Sequence, residues 1–178
     1  MQSRWECITA FLQNKKNILI TTHLNPDGDA LGSEIALAHY LKQIGTSFRI
    51  INADPTPAYF NFLNSDRLIE QFHPDRHAES LALFDGCIVV DVGEYARLGG
   101  MCDIVKNGSF PVAFIDHHIS TVKIGDAQVV DEHCSSTGEL IYDFLKQSGA
   151  NFTQEIVDAL YTCILTDTGS FRFSNTTS

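Results

Sequence analysis

The chain has 178 residues, enough for one substantial domain, and 44% of them are hydrophobic, so it can bury a core. Twenty-two acidic side chains against 12 basic ones give a formal net charge of −10, which excludes a surface that holds long nucleic acid by neutralising its phosphates. The five cysteines form no CxxC pair, no N-terminal apolar run reads as a signal peptide and no segment has the length of a membrane span; the chain reads as cytoplasmic, without a disulfide framework or zinc ribbon.

Trp5, Ile8, Phe11 and Leu12 recur at helical intervals and predict a lead-in helix, closed by the polar break at residues 14–17. Residues 18–22 form a β-type run that leads straight into His23, Asp27 and Asp29. Over 30–44, Leu31, Ile35, Leu37, Ala38, Leu41 and Ile44 make one apolar stripe of a helix, and Gly45 stands where a helix-ending glycine is expected. A second strand follows at 48–51, then a turn cluster at 52–55 and a short helix at 58–63. Residues 65–80 are polar and show no clear period.

The apolar runs 86–90 and 110–115 close on Asp91 and Asp116, as buried parallel strands do when their carboxyl ends carry function. A further short run, 127–130, ends at Asp131. Two helices complete the pattern. The first, over 136–149, starts with Ser135, Ser136 and Thr137, and Glu139 stands in capping-box register to Ser136. The second begins at Thr153, another capping residue, and runs to about residue 165. Strands alternating with helices predict an α/β domain: a mostly parallel, five-stranded sheet flanked by helices.

The expected strand ends gather His23, Asp27, Asp29, Asp91, Asp116, His117 and His118, and Asp167 joins them from the end of the last helix. His23 and Asp27 can turn back toward one point, while Asp29 aims at a second point nearby. Pro26 and Gly28 allow the sharp bend this needs. Imidazole with carboxylates suits an ion of the Mn, Fe or Zn type better than Ca, which prefers all-oxygen shells. Taken alone, the same residues serve equally well as turn and helix-cap residues. Four separate segments with this composition favour a site, and bound ions would draw an anionic substrate to an acidic protein.

The ordered motifs His23-Leu-Asn-Pro-Asp27-Gly-Asp29-Ala-Leu-Gly-Ser33, Val90-Asp91, Ile115-Asp116-His117-His118, Ser135-Ser136-Thr137 and Thr166-Asp167-Thr168-Gly169-Ser-Phe-Arg172 span nearly all of the chain. In them the chain resembles the DHH phosphoesterase superfamily, whose catalytic domain is Rossmann-like. The resemblance implies two Mn²⁺ ions per chain, with Mg²⁺, Co²⁺ or Fe²⁺ as alternatives. His23 and Asp27 would hold one ion, Asp29, His117 and Asp167 the other, and Asp91 would bridge both. Four carboxylates in that set would repel one another strongly unless ions balanced them. The resemblance gives His118 a contact to the phosphate or the leaving oxygen, and gives Asp116 the task of orienting a histidine. Ser136, Thr137, Arg97 and Arg172 are candidate phosphate contacts, beside their ordinary uses as cap residues and surface arginines.

Within the superfamily, the Asn25-Pro-Asp-Gly-Asp-Ala-Leu-Gly-Ser33 and Thr166-Asp-Thr-Gly-Ser-Phe-Arg-Phe-Ser-Asn-Thr176 forms look most like short bacterial enzymes that degrade very short RNA oligonucleotides and dephosphorylate 3′-phosphoadenosine 5′-phosphate. The expected function is Mn²⁺-dependent hydrolysis of such small nucleotides, with no long nucleic acid and no membrane as partners. Family-II inorganic pyrophosphatases, which usually carry Thr where Gly28 stands, and cyclic- or linear-dinucleotide phosphodiesterases are the competing enzymes. A silent metal- or nucleotide-binding module is the competing non-enzyme, and the intact ligand set argues against it. Relatives of this kind continue into a smaller, glycine-rich DHHA1-type domain that grips substrate. Residues 1–178 are accordingly expected to be the metal-binding catalytic domain, with the polar stretch after Phe173 reading as the start of a linker. Some members form homodimers, an expectation the resemblance extends to this chain.

Overall fold

The computed structural model describes residues 3–119 and 125–176. Six short runs of β-branched and aliphatic residues pair in parallel: β1 (Asn17–Thr21), β2 (Ser47–Asn52), β3 (Ile69–Gln71), β4 (Gly86–Val90), β5 (Val112–Asp116) and β6 (Ala127–Val130). Their order across the sheet is β3-β2-β1-β4-β5-β6. That order reverses direction between β1 and β4, and the crevice outside the carboxyl ends at such a point is where doubly wound folds bind ligands.

The sheet is covered on both faces, and the alternation of side chains along each strand decides which face a residue joins. Ile18, Ile20, Ile50, Ile88, Val90, Ala113 and Ile115 pack against α1 (Glu6–Leu12), α2 (Gly28–Gln43), α5 (Thr137–Gln147) and α6 (Gln154–Asp167). Leu19, Ile51, Cys87, Val89, Val112 and Phe114 face the other way, toward Leu98, Met101 and Val105. The last three come from a 3₁₀ segment, Tyr95–Met101, and from α4 (Cys102–Asn107).

Three expectations need correction. The sheet has six strands and not five. The sixth, β3, is three residues inside the polar 65–80 stretch and pairs Ile50 with Ile69 at the sheet edge, too short a run to show a period. α3 (Pro74–Leu81) follows it, started by a proline in its first turn. The helix at 30–44 buries far more than one stripe: from Gly28 to Ala38 every residue of α2 is buried, because α5 and α6 cover the side that the sheet does not. Finally, Thr153 precedes α6 without a side-chain capping bond.

Close helix crossings make this three-helix layer possible. A Cβ on Gly32 would lie 2.4 Å from Cys163 Sγ and 2.5 Å from the Ala159 carbonyl oxygen, and one on Gly138 would lie 2.1 Å from Cys163 Cβ. Only glycine lets α2, α5 and α6 approach so nearly around Cys163. The consequence is positional: the amino ends of α2 and α5 and the carboxyl end of α6 converge over the reversal point of the sheet.

Candidate metal centre

The turn after β1 performs two tasks with one residue. Asp27 is the N-cap of α2, and its Oδ1 accepts the backbone N–H groups of Asp29 (3.0 Å) and Ala30 (3.1 Å). Its other oxygen, Oδ2, lies 3.8 Å from His23 Nε2. The cap reading and the ligand reading of this turn are therefore compatible. Asn25, in the left-handed region at φ 51°, completes the bend, and its N–H donates to Asp54 Oδ2 at 2.8 Å.

His23 is buried, and its Nδ1 bonds the Leu24 carbonyl oxygen at 2.6 Å. That bond leaves Nε2 aimed at the crevice, 3.5 Å from Asp91 Oδ2. Nε2 is buried and finds no hydrogen-bond partner among the described residues. An orphaned imidazole nitrogen between two carboxylates fits a metal-ligating role, since buried polar atoms are otherwise almost always paired.

A second cluster is built on the other side of Asp91. His117 Nδ1 bonds the Cys134 carbonyl oxygen at 3.2 Å, and its Nε2 stands 3.8 Å from Asp29 Oδ2, 3.7 Å from Asp91 Oδ1 and 3.6 Å from Asp167 Oδ2. In both histidines the ring nitrogen away from the crevice is fixed by a backbone carbonyl, the usual way a protein sets the tautomer of a metal-binding imidazole. The separations of about 3.5–3.8 Å are too long for good hydrogen bonds. Donor atoms sharing one small ion at about 2.0–2.2 Å would stand comparably far apart.

Asp91 belongs to both clusters, Oδ2 toward His23 and Oδ1 toward His117. It follows β4 directly, is buried, and adopts a left-handed backbone at φ 57°, a conformation that Asp tolerates better than most residues. Thr137 Oγ1 donates to its Oδ1 at 2.9 Å.

Asp29 is held by a helix terminus. The first two N–H groups of α5, from Thr137 and Gly138, donate to its Oδ2 and Oδ1 at 2.7 and 2.8 Å. Ser136 caps the same helix, its Oγ accepting the Glu139 N–H at 3.1 Å, while the Glu139 carboxylate reaches back to Ser135 rather than Ser136. Ser136 and Thr137, candidates for phosphate contact, are thus buried and engaged in holding Asp29, Asp91 and their own helix.

The charges of this centre are unbalanced without ions. Burial, reinforced by Asp91 and Asp167 and offset by the α5 N–H groups, pushes Asp29 well above the usual carboxylate range. Burial likewise raises Asp167, with Asp91 and Asp27 adding to it and His117 and His118 opposing. Asp91 moves the opposite way: burial would raise it, but His23, His118 and His117 together hold it below the usual range. Divalent cations reverse this logic and let every carboxylate ionise. The donor set of two imidazoles and four carboxylates fits such ions.

Asp116 and His118 form a separate unit at the rim. Asp116 is fully buried at the end of β5, and its Oδ2 takes the Val92 and Gly93 N–H groups. Its Oδ1 accepts the His118 N–H at 2.9 Å and engages His118 Nδ1 at 2.7 Å. Nδ1 is also 3.5 Å from Asp91 Oδ1, near enough for His118 to share an ion with Asp91 and His117, but it is engaged by Asp116, and among the described residues Nε2 of this partly exposed ring has no hydrogen-bond partner. Arg97 is half-buried, its guanidinium 3.4 Å from the Val92 carbonyl oxygen and near enough to His118 to oppose its protonation. Arg172 is exposed and turns back to the Gly169 carbonyl oxygen at 3.0 Å.

Sequence reasoning missed Asn175, whose Nδ2 donates to the carbonyl oxygens of Ser135 (2.9 Å) and Asp167 (3.1 Å) and approaches Asp167 Oδ2 (3.4 Å). It lies in the polar stretch expected to be a linker, the last two residues of which are outside the described residues. No sequence pattern marks a fold-back of this kind. Among the described residues no helix is long and apolar enough to cross a membrane.

The chain is 37% identical over 160 residues to the bifunctional oligoribonuclease and PAP phosphatase NrnA of Thermus thermophilus, covering 90% of this chain and 46% of that protein. It is 25% identical over 169 residues to a probable manganese-dependent inorganic pyrophosphatase of Enterococcus faecalis, covering 87% of this chain and 49% of that protein. An exopolyphosphatase-related protein from Bacteroides fragilis superposes on the whole chain with a TM-score of 0.90 at 26% identity, over 53% of its own length. The chain spans about half the length of these relatives. The model of the DHH family, N-terminal domain, matches residues 17–164, which takes in every strand and all but one of the six residues of the two clusters, and the chain belongs to that family.

Proposed function

We propose that this domain is the catalytic half of a phosphoester hydrolase that uses two Mn²⁺ ions and acts on small nucleotides, short oligoribonucleotides or 3′-phosphoadenosine 5′-phosphate. The observation that carries the reading is Asp91, whose two oxygens face two separate imidazole–carboxylate clusters. His23 and Asp27 would hold one ion, Asp29, His117 and Asp167 the other, and Asp91 both. Such a pair, when bound, supplies Lewis-acid activation suited to attack on phosphorus.

The protein's own groups do the rest. The α5 terminus and the Cys134 and Leu24 carbonyls hold the ligands in place, so that little reorganisation is needed on binding. Asp116 fixes the His118 ring through Nδ1 and stabilises its protonated form, which leaves Nε2 to meet a phosphoryl oxygen or give a proton to the departing one. Arg97 stands near the same ring and is the better placed of the two arginines to steady a phosphate. An acidic surface suits a small substrate, because attraction comes from the centre and not from a basic track. The relatives' names support the nucleotide reading, and their extra length is where the resemblance puts a second, substrate-gripping domain. Pyrophosphate is the alternative substrate, favoured by the manganese-dependent relative.

The test is hydrolysis of a labelled ribodinucleotide, 3′-phosphoadenosine 5′-phosphate and pyrophosphate by the Mn²⁺-loaded protein. Turnover of either nucleotide ahead of pyrophosphate supports the reading. Turnover of pyrophosphate alone replaces it, and turnover of none, with ions bound, removes the catalytic claim for this chain.

A further inference from the structure

Behind His23 lies a buried polar chain that the two clusters do not use. Glu34, one and a half turns along α2 from Asp29, is completely buried, and its Oε2 accepts from Asn52 Nδ2 at 2.8 Å. Asn52, the last residue of β2 and equally buried, presents its Oδ1 to the Thr22 N–H at 3.2 Å and to Thr21 Oγ1 at 3.4 Å. Thr22 Oγ1 in turn donates to the Val90 carbonyl oxygen at 2.8 Å. Thr22 immediately precedes His23, and Val90 immediately precedes Asp91.

A carboxyl group in the core with one donor for two oxygens is costly, and Glu34 Oε1 has no partner among the described residues. Its position explains it. The paired residues of β1 and β2 end at Ile20 and Ile50, and those of β1 and β4 at Thr21 and Val89. Beyond them the strands would be free to splay. Asn52 Oδ1 takes the Thr22 N–H on one side, and the Thr22 hydroxyl reaches Val90 on the other, so two side chains continue the ladder by one residue. An amide can be seated either way round, and only one seating offers its oxygen to Thr22. Glu34 Oε2, facing Asn52 Nδ2, selects that seating.

We propose that Glu34 and Asn52 are positioning residues for the metal centre: they carry the β1 ladder one residue past the backbone pairing and thereby aim His23 and Asp91 at the ion they share. This rests on the two-ion reading above.

The test compares wild type with Asn52→Leu and with the pair Glu34→Met and Asn52→Leu. The paired variant also removes the unsatisfied carboxyl, so it is the one expected to keep its fold, as apolar replacements of buried polar pairs often do. Three quantities are read: Mn²⁺ affinity by titration, exchange of the Thr22 amide in ion-free protein, and the urea midpoint. Both variants should exchange the Thr22 amide at least about 10-fold faster. Both should bind Mn²⁺ about 10-fold more weakly, the scale of losing an outer partner of a metal ligand. The paired variant should do so with a urea midpoint at or above that of Asn52→Leu. A paired variant that folds and binds Mn²⁺ as wild type does, or that leaves the Thr22 amide protected, overturns the proposal. Wild-type protein that is folded and binds no Mn²⁺ refutes the two-ion reading instead, and the unsubstituted titration separates the two failures.

Discussion

The two clusters that share Asp91 are made of different materials. Asp29 and Asp167 stand on helix ends, Asp29 held by the α5 N–H pair and Asp167 closing α6 with the half-buried Asn175 amide beside it, while His117, like His23, is set by a loop carbonyl. His23 and Asp27 rest on a turn, where the Asp27 side chain is 57% exposed and one of its oxygens is already spent on capping α2. A site held by secondary structure is more nearly preformed than one held by a loop. The expected result is unequal binding, with a tight ion at the Asp29 cluster and a weaker one at the His23 cluster.

Asp91→Ala removes the residue common to both and carries the largest effect. Mn²⁺ stoichiometry should fall from two to one or none, and hydrolysis by about 10³-fold or more, the scale of losing a main electrostatic element of a transition state. Next in size is a pair of variants that should break the clusters separately. Asp29→Ala should abolish the tight phase of a Mn²⁺ titration, and His23→Ala only the weak phase. The same phase lost in both variants would erase the distinction between the clusters.

Beneath the looser cluster, burial and the nearby Asp91 charge raise Glu34 to about 8, with Asn52 opposing. The folded state then keeps a proton that the unfolded chain releases near the ordinary Glu value of 4.5. Stability of the ion-free protein should therefore fall as pH rises from about 4.5 to 8 and level off above, by an amount on the order of 5 kcal/mol. Urea midpoints against pH should show a shallower fall in Glu34→Gln.

Gly138→Ala tests the firmer cluster from behind. The added methyl would meet Cys163, so the amino end of α5 must shift; we expect about 1–3 kcal/mol of destabilisation and a weakened tight phase with the weak phase retained. Asp27→Ala should be the mildest: about 1 kcal/mol for the lost cap, read by thermal unfolding, and a weaker second ion.

The contrast between the clusters also explains what could be read from the sequence. The strand-borne segments that converge here were legible because β1, β4 and β5 are short apolar runs closing on an acid or histidine, a local pattern, whereas Asp167 comes from the end of a helix. Asp27 was ambiguous between cap and proposed ligand because one oxygen caps α2 while the other faces His23. The contribution of α5 was not legible, since a Ser-Ser-Thr start looks the same whether its N–H groups face solvent, phosphate or, as found, Asp29. Asn52 was read as a turn residue, and only the approach of α2 behind β2 shows that its amide is held by Glu34. The missing strand, β3, exists through its pairing with β2 and not through any pattern of its own.

The central claim is that the converging carboxylates and imidazoles hold an ion pair. Elemental analysis of the folded, Mn²⁺-loaded chain, beside Asp91→Ala, tests it most directly. The account predicts two ions per chain, falling to one or fewer in the variant. Folded wild-type protein without bound metal, or an ion count indifferent to Asp91, would contradict it.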